Sequence, residues 1–560
     1  MQDTPIAPDT AAEVEDRNRS LARSTIVVMV AFGLAKVISL VQTFIIARVF
    51  GVSAEWDAFV VANSIPELIF TLIAGGALAH AFIPVFSGFL AREDREGAWR
   101  TASHVINTIF ATTFTVSVLA FFAAPWLVAN VAAPGFDLAA RAQTVELMRI
   151  LLISTLIFSV SGISMGILQS HNRFLLPALA PIMFDVGILF GVAFLIPPLG
   201  VNGIALGAVL GAAMHFGIQV PGLIQVRARW RLSLGLSDPV LWKIIRLMIP
   251  RIAGLGVFSL NFIVMNNIAS RLGPGSVSAL SWGWRLMQIP QTIIGTAMGI
   301  VIFPTLSVLS EIGDESGKRI AMSGALRFIM IASIPSAIGL IFVGQPLIGL
   351  LEGGEFDAAA SVLVFSTLRF FALGLIFHSA LEVVARSFYA DQDTLTPLYA
   401  AIGGATINLV LSFVLSGVST VEANSFYNLV AMQTPALEPV RGNVGGLALA
   451  NTLGVMFEVT TLMWVLRRRW HGINENALAR TTLKTLAASL VMALSIVLVQ
   501  FVWASMGLGD GGFVMTAVQI GVEVSVGAVV FVAAAALLRM DELKTMLALL
   551  RRQHPAELVL

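Results

Sequence analysis

The residues whose types and spacing could do chemistry are polar groups set inside long apolar stretches. Lys36, Ser39 and Thr43 recur at helical spacing, with Gln42 beside them. Asn63, Glu67 and Thr71 repeat every four residues, and Asp57 stands at the mouth of the same stretch. Arg285, Gln288 and Thr292 share one helical face, flanked by Trp282 and Trp284. A charged side chain inside a bilayer costs about 2.5–3.5 kcal/mol on an insertion scale unless it faces protein or water. Cations and amides kept at that cost suit recognition of an anionic head group, through charge-assisted hydrogen bonds. The alternative is that Lys36 pairs with Glu67 or Asp57 as structural glue. Asp185, Arg369, Glu382 and Glu458 are further ionisable groups within apolar stretches and are candidates for coupling or gating.

Other chemistries lack their residues. There is no cysteine, so disulfides, thiolate metal sites and a cysteine nucleophile are excluded. The seven histidines show no metal-ligand spacing, and no metal or other cofactor is expected. Gly313-Asp-Glu-Ser-Gly-Lys318 comes nearest to a phosphate loop, but it is one residue short and continues with Arg319, so it reads as a solvated turn. Without a nucleotide site, uphill movement of a cargo must draw on an ion gradient, the membrane potential or a one-way chemical sink. Thirty-four basic against 33 acidic residues leave no bulk field for nucleic acid.

Composition names the elements that position these groups. Of 560 residues 57% are apolar and 12% charged, with a mean hydropathy of +0.88. That charged share is about half the usual one in soluble proteins. The chain therefore reads as an all-α polytopic membrane protein. A spanning helix needs about 20 apolar residues, and fourteen stretches qualify, from 25–47 to the last two at 482–504 and 514–538. With a cytoplasmic N-terminus the inner segments hold 24 Lys and Arg and the outer ones 5. Both termini are therefore expected in the cytoplasm.

An internal duplication organises the spans. Pro84-x-x-Ser87 returns as Pro304-x-x-Ser307 and Pro177 as Pro397, each 220 residues later. Pro66 and Pro290 both interrupt a second helix. Val201-Asn-Gly-Ile-Ala-Leu-Gly-x-x-Leu-Gly211 matches Val444-Gly-Gly-Leu-Ala-Leu-Ala-x-x-Leu-Gly454 after about 23 added residues near 418–442. The expected organisation is a cytoplasmic tail (1–23), an N-lobe (24–226), a cytoplasmic linker (227–240), a C-lobe (241–469), two extra helices (470–540) and a second tail (541–560). Two duplicated six-helix lobes of like topology suit a central cavity opened alternately to either side. Pro66, Pro177, Pro290 and Pro397 are candidate hinge or turn positions.

Several runs carry a family resemblance. Ala47-Arg-Val-Phe-Gly51 followed by Asp57-Ala-Phe, Ala81-Phe-Ile-Pro84, Asn172-Arg-Phe-x-x-Pro177, Arg285-Leu-Met-x-x-Pro290 and Gln392-Asp393-x-x-Thr-Pro397 resemble the MurJ (MviN) lipid II flippase family. That family belongs to the multidrug/oligosaccharidyl-lipid/polysaccharide (MOP) superfamily. The resemblance spans nearly the whole chain and implies fourteen helices as 6 + 6 + 2. It also implies a cationic cavity for a diphosphate-sugar head and a groove in the last two helices for a polyprenyl tail. Arg285 and Asp57 match family cavity positions. Lys36 stands where the family has an arginine, keeping charge but losing bidentate geometry. Gln42, Phe70, Gly75 and Trp284 are neutral where the family is charged.

The expectation is thus a flippase, not an enzyme, in the cytoplasmic membrane of a bacterium. It would move lipid II from the inner to the outer leaflet for cell wall synthesis. The alternatives are a flippase for another polyprenyl-linked glycan, a non-transporting cell-envelope scaffold, or a MATE-like small-molecule antiporter. The expected partners are the glycan lipid, the bilayer and proteins of cell-wall synthesis, with the chain itself a monomer.

Overall fold

The computed structural model describes residues 34, 37–73, 76–417, 443–507, 512–540 and 542, leaving aside the side chains of 76–80, 250 and 251. Lys36, Gly75, both tails and the added segment near 418–442 lie outside the described residues, and the 227–240 linker lies within them. Among the described residues the regular structure is helical, joined by short turns. In chain order the helices are α1 (Val37–Phe50), α2 (Ala54–Ile73), α3 (Gly76–Ala91), α4 (Arg95–Ala132), α5 (Leu138–Ser170), α6 (Leu175–Leu199), α7 (Asn202–Gln225) and α8 (Pro239–Ala269). There follow α9 (Ser276–Glu311), α10 (Glu315–Gly349), α11 (Ala358–Ala390), α12 (Leu395–Ser416), α13 (Val444–Arg469), α14 (Glu475–Ser505) and α15 (Gly512–Leu537). Thirteen of the described stretches are long and apolar enough to cross a membrane, and α1 is the described part of the first expected span. The helix is the form that satisfies every backbone polar group without water. This is an all-α, multi-pass membrane protein.

The duplication holds at the level of individual hydrogen bonds. Asp94 Oδ1 accepts from Gly97 N at 2.8 Å, and Asp314 Oδ1, 220 residues later, accepts from Gly317 N at 2.8 Å. Asp137 and Asp357 cap α5 and α11 in the same way, at 2.8 and 2.7 Å. Each such cap is worth about 1 kcal/mol. The left-handed residues repeat too: Glu93 (φ 59°) with Gly313 (φ 72°), and Asn172 (φ 57°) with Gln392 (φ 58°). Asn172 and Gln392 end tight turns, after which Pro177 and Pro397 occupy the third position of α6 and α12, where a missing N–H is harmless. The Gly313–Lys318 stretch, read as a solvated turn, differs: Lys318 lies in the first turn of α10, buried, with its Nζ 2.8 Å from Asp391 Oδ1 and over the Trp470 ring.

Packing divides the chain into two compact units. Among the described residues, one comprises those within 34–46, 65–124 and 145–252; the other comprises those within 47–64, 125–144 and 253–542. This division departs from the lobe boundaries of the sequence at 47–64 and 125–144, which pack with the second unit. In the first unit α6 and α7 touch through glycines: a Cβ on Gly187 would sit 2.2 Å from Gly211 Cα. In the second, α12 meets α13 at Gly404 and Gly454, where a Cβ would lie 2.8 and 2.6 Å from the opposite carbonyl oxygen. Close backbone approach of this kind replaces the hydrophobic drive that lipid removes.

The second unit has a main core of Leu326, Ile329, Val383, Phe388, Leu462 and Leu466. A separate cluster joins α14 and α15 to α10 through Ile331, Val343, Met492, Ile496 and Phe531. Glu523 of α15, fully buried there, accepts hydrogen bonds from Gln519 (2.7 Å) and Gln500 (3.2 Å), and Gln500 also donates to Phe342 O of α10 at 2.9 Å.

Candidate functional site

Arg285 is exposed although it lies well inside α9, and Gln288, three residues on, is exposed on the same face. Thr292 and Thr296 continue that face at helical spacing. The Arg285 guanidinium lies over the Trp282 ring at 6.0 Å, a cation–π contact that helps to orient it. Thr296 Oγ1 donates to Glu382 Oε1 of α11 at 3.3 Å, and Glu382 Oε2 pairs with Arg386 at 3.1 Å. The stripe therefore runs from a cation through amide and hydroxyl groups to an ion pair. Pro290 removes a backbone donor within it, and a wide π-type turn over Thr292–Thr296 follows.

The start of α9 is fixed by Asp57. Its buried carboxylate accepts from Gly275 N and Ser278 N, both at 2.6 Å, and from Ser278 Oγ at 2.5 Å. Gly275 takes φ 86°, a left-handed conformation that suits glycine. Trp282 Nε1 donates to Gly51 O at 3.0 Å, and the Trp56 and Trp282 rings stack at 5.4 Å. Asp57 was expected at the outer mouth of the second span, among the binding residues. It instead closes a helix end, roughly 15 Å along the axis from Arg285 at 1.5 Å per residue. An acid there also meets the positive end of the helix dipole. In the same unit two backbone N–H groups 220 residues apart each donate to a distant segment: Gly135 N to Ser270 Oγ (3.1 Å) and Glu355 N to Arg48 O (2.9 Å).

The other expected residues fall into separate settings. In the first unit, Gln42 is buried, Glu67 exposed and Asp185 half-buried. Pro66 O accepts a long bond from Thr155 Oγ1 at 3.4 Å. Phe70, neutral where the family is charged, packs against Phe158 at 5.6 Å. In the second unit, Arg369 lies over Phe370 at 5.1 Å, and Glu458 flanks the close approach at Gly404. Trp284 packs among Phe262, Phe371 and His378.

Two polar seams were not anticipated. Ser161 Oγ, His215 Nδ1 and Gln219 Nε2 form a buried triad in the first unit, at 2.7 Å for each bond to Ser161. In the second, Asn408 Nδ2 donates to Asn261 Oδ1 at 2.7 Å and Ser412 Oγ to Asn408 Oδ1 at 3.1 Å. His215 continues the four-residue spacing of Gly203, Gly207 and Gly211 along α7. Asn261 and Asn408 carry no charge and no motif, so nothing in the sequence marked them.

The sequence model of the lipid II flippase MurJ family matches residues 46–518. The chain belongs to that family. A lipid II flippase MurJ of Burkholderia cenocepacia is 32% identical over 390 residues, covering 68% of this chain and 75% of the relative. A probable lipid II flippase MurJ of Rhizobium tropici is 27% identical over 500 residues, covering 86% and 87%. A solved lipid II flippase MurJ in an inward closed conformation superposes with a TM-score of 0.74 at 22% identity, over 92% of this chain and 99% of that one. An inward-facing MATE transporter of the MOP superfamily gives 0.66 at 15% identity, over 80% and 99%. These last two likenesses establish the fold. As a member of the MurJ family the chain is a transporter and not an enzyme.

Proposed function

We propose that this protein flips lipid II from the inner to the outer leaflet of the bacterial cytoplasmic membrane, by alternating access of its two six-helix lobes. The observation that carries the reading is the exposed Arg285–Gln288 face within a membrane-spanning helix. An exposed guanidinium at that depth is tolerated where it meets water or an anionic ligand, and its planar fork suits a diphosphate. The sequence adds Lys36, Gln42 and Glu67 as candidates for head-group contact. With aromatic residues at Phe70 and Trp284, the cations left among the family positions are Arg285 and Lys36.

Flipping is driven by an ion gradient or the membrane potential, with Asp185, Arg369, Glu382 and Glu458 as the groups available for coupling or gating. Both termini are cytoplasmic, the protein acts as a monomer, and proteins of cell-wall synthesis draw on the lipid it delivers. The test is genetic rescue of cells depleted of their own lipid II flippase, followed by a leaflet assay of lipid II. Rescue by the wild type that is lost in Arg285→Ala at equal protein level supports the reading. Failure of the wild type to rescue, or full rescue by the variant, overturns it.

A further inference from the structure

The segment joining α7 to α8 runs as a strap along the first unit and closes a cavity of about 710 Å³. Four α4 side chains within two helical turns, Ser103, His104, Asn107 and Thr108, pin it. Asn107 Nδ2 donates to Arg231 O (2.7 Å) and Ser233 O (2.9 Å), while its Oδ1 accepts from Trp230 Nε1 (2.9 Å). Ser103 Oγ accepts from Arg231 N at 3.1 Å, Thr108 Oγ1 donates to Leu234 O at 2.8 Å, and His104 Nδ1 meets Asp238 Oδ2 at 2.8 Å. The walls beneath are Ile106 and Phe110 of α4, Val160 and Ile167 of α5, and Phe216 and Leu223 of α7.

Two features say what this cavity takes. Most of the polar groups that reach it are already engaged: Asn107, Ser103 and Trp230 hold the strap, and Ser164 Oγ bonds its own helix at Val160 O, while Arg229 and Ser233 line it from the strap. Water needs about two to four free polar partners to settle in a cavity, so the interior favours an apolar guest. Its volume falls within the roughly 300–1,000 Å³ range of small-ligand sites. The strap alternates basic and apolar residues, Arg227, Arg229 and Arg231 with Trp230, Leu232 and Leu234, all exposed, and Arg229, Trp230, Leu232 and Leu234 also line the cavity. The nearest acid to these arginines, Glu96, lies 3.6 Å from Arg231, and both side chains are mostly in solvent. The other acid of the strap, Asp238, is occupied by His104.

We infer that the cavity is a binding site for an anionic glycerophospholipid of the bilayer, one acyl chain in the cavity and the phosphate on Arg229 and Arg231. Basic pockets at helix ends on the cytoplasmic side recognise such head groups by charge, and the neighbouring indole suits the interface. The site is built wholly from residues of the first unit, shares no residue with the Arg285 face or with α14 and α15, and does not depend on the cargo proposed above.

The full-length protein is reconstituted in vesicles of phosphatidylglycerol and phosphatidylcholine carrying trace phosphatidylglycerol with a photoreactive group at the acyl terminus. Labelled peptides are then mapped. Labelling should concentrate on 106–111 and 160–167 and fall about tenfold in Arg229→Gln/Arg231→Gln. Labelling from an equivalent phosphatidylcholine probe should be weak in both proteins. Ala111→Phe, which fills the cavity and keeps both arginines, should also remove the label. If that variant melts early, the exposed arginine pair carries the test. Labelling spread over lipid-facing residues such as Leu119 and Phe122, or unchanged in the arginine variant, overturns the site. Loss of label to an equimolar polyprenyl diphosphate would overturn the assignment to a bilayer lipid.

Discussion

Asp57 and Ser278 are joined twice, through the serine N–H at 2.6 Å and its hydroxyl at 2.5 Å, with neither side chain open to solvent. The acid holds the first turn of the helix on which Arg285 stands. Removing it by Asp57→Ala strands two buried N–H groups, each worth about 1–3 kcal/mol. The variant should melt at least 5 °C lower in detergent, in line with the roughly 2–4 °C per kcal/mol typical of larger domains. Lipid II flipping should fall with it. Asp57→Asn should lose less, because its amide oxygen still accepts. Equal losses in the two variants would point to the charge as the essential property, in place of the cap.

Arg285 should behave differently. Its side chain is exposed, so Arg285→Ala should leave the melting temperature within a degree or two. A charge-assisted contact is worth about 1.5–3 kcal/mol, so lipid II binding should weaken about tenfold or more. Arg285→Lys should recover part of it, since charge is retained without the bidentate fork. Unchanged binding in Arg285→Ala, measured on reconstituted protein, would remove the residue from the site.

These two residues show how far the sequence reaches. Arg285 was legible because charge within an apolar run is costly and its face repeats at helical spacing. Asp57 was legible as a notable acid, but its task was not. Its partners Gly275 and Ser278 lie more than two hundred residues away, and no local pattern encodes that pairing. The repeated caps at Asp94, Asp137, Asp314 and Asp357 are local and periodic, so the duplication that predicts them could be read directly. Lys318 escaped for the opposite reason: its burial depends on Asp391 and Trp470, contributed by distant turns.

At the start of α12 the carboxyl of Asp393 sits against Thr396 and Arg469. Partial burial raises its pKa, but the hydroxyl and N–H of Thr396 (2.7 and 3.0 Å) and Arg469 (2.6 Å) outweigh it, and the group is held below the usual carboxylate range. A lowered folded-state pKa gives stability that is present above the unfolded value near 3.9 and lost as pH falls through the folded value. Asp393→Asn should therefore cost about 1 kcal/mol at pH 7, and the gap to wild type should close below about pH 4. Melting curves across that range decide it. A gap that does not narrow at all as the pH falls below about 4 would exclude the ionised carboxylate as its source.

The two helices beyond the duplication give the last prediction. They attach to α10 through Ile331, Val343, Met492, Ile496 and Phe531, and through Gln500, which joins Glu523 to Phe342 O. Their remaining surface is apolar and open, with Leu490, Leu494, Leu498 and Phe501 exposed along α14. A polyprenyl chain laid there gains about 0.8 kcal/mol per methylene taken from water. In lipid the gain is smaller and comes from packing. Truncation after Arg480 should leave a folded protein, because the caps at Asp94, Asp137, Asp314 and Asp357 and the main core of the second unit are independent of these contacts. Affinity for full-length lipid II should drop much more than affinity for a short-chain analogue. Gln500→Leu should loosen α15 and reproduce part of that difference. Equal losses for the long and short chains would mean that α14 and α15 only shield the edge of α10.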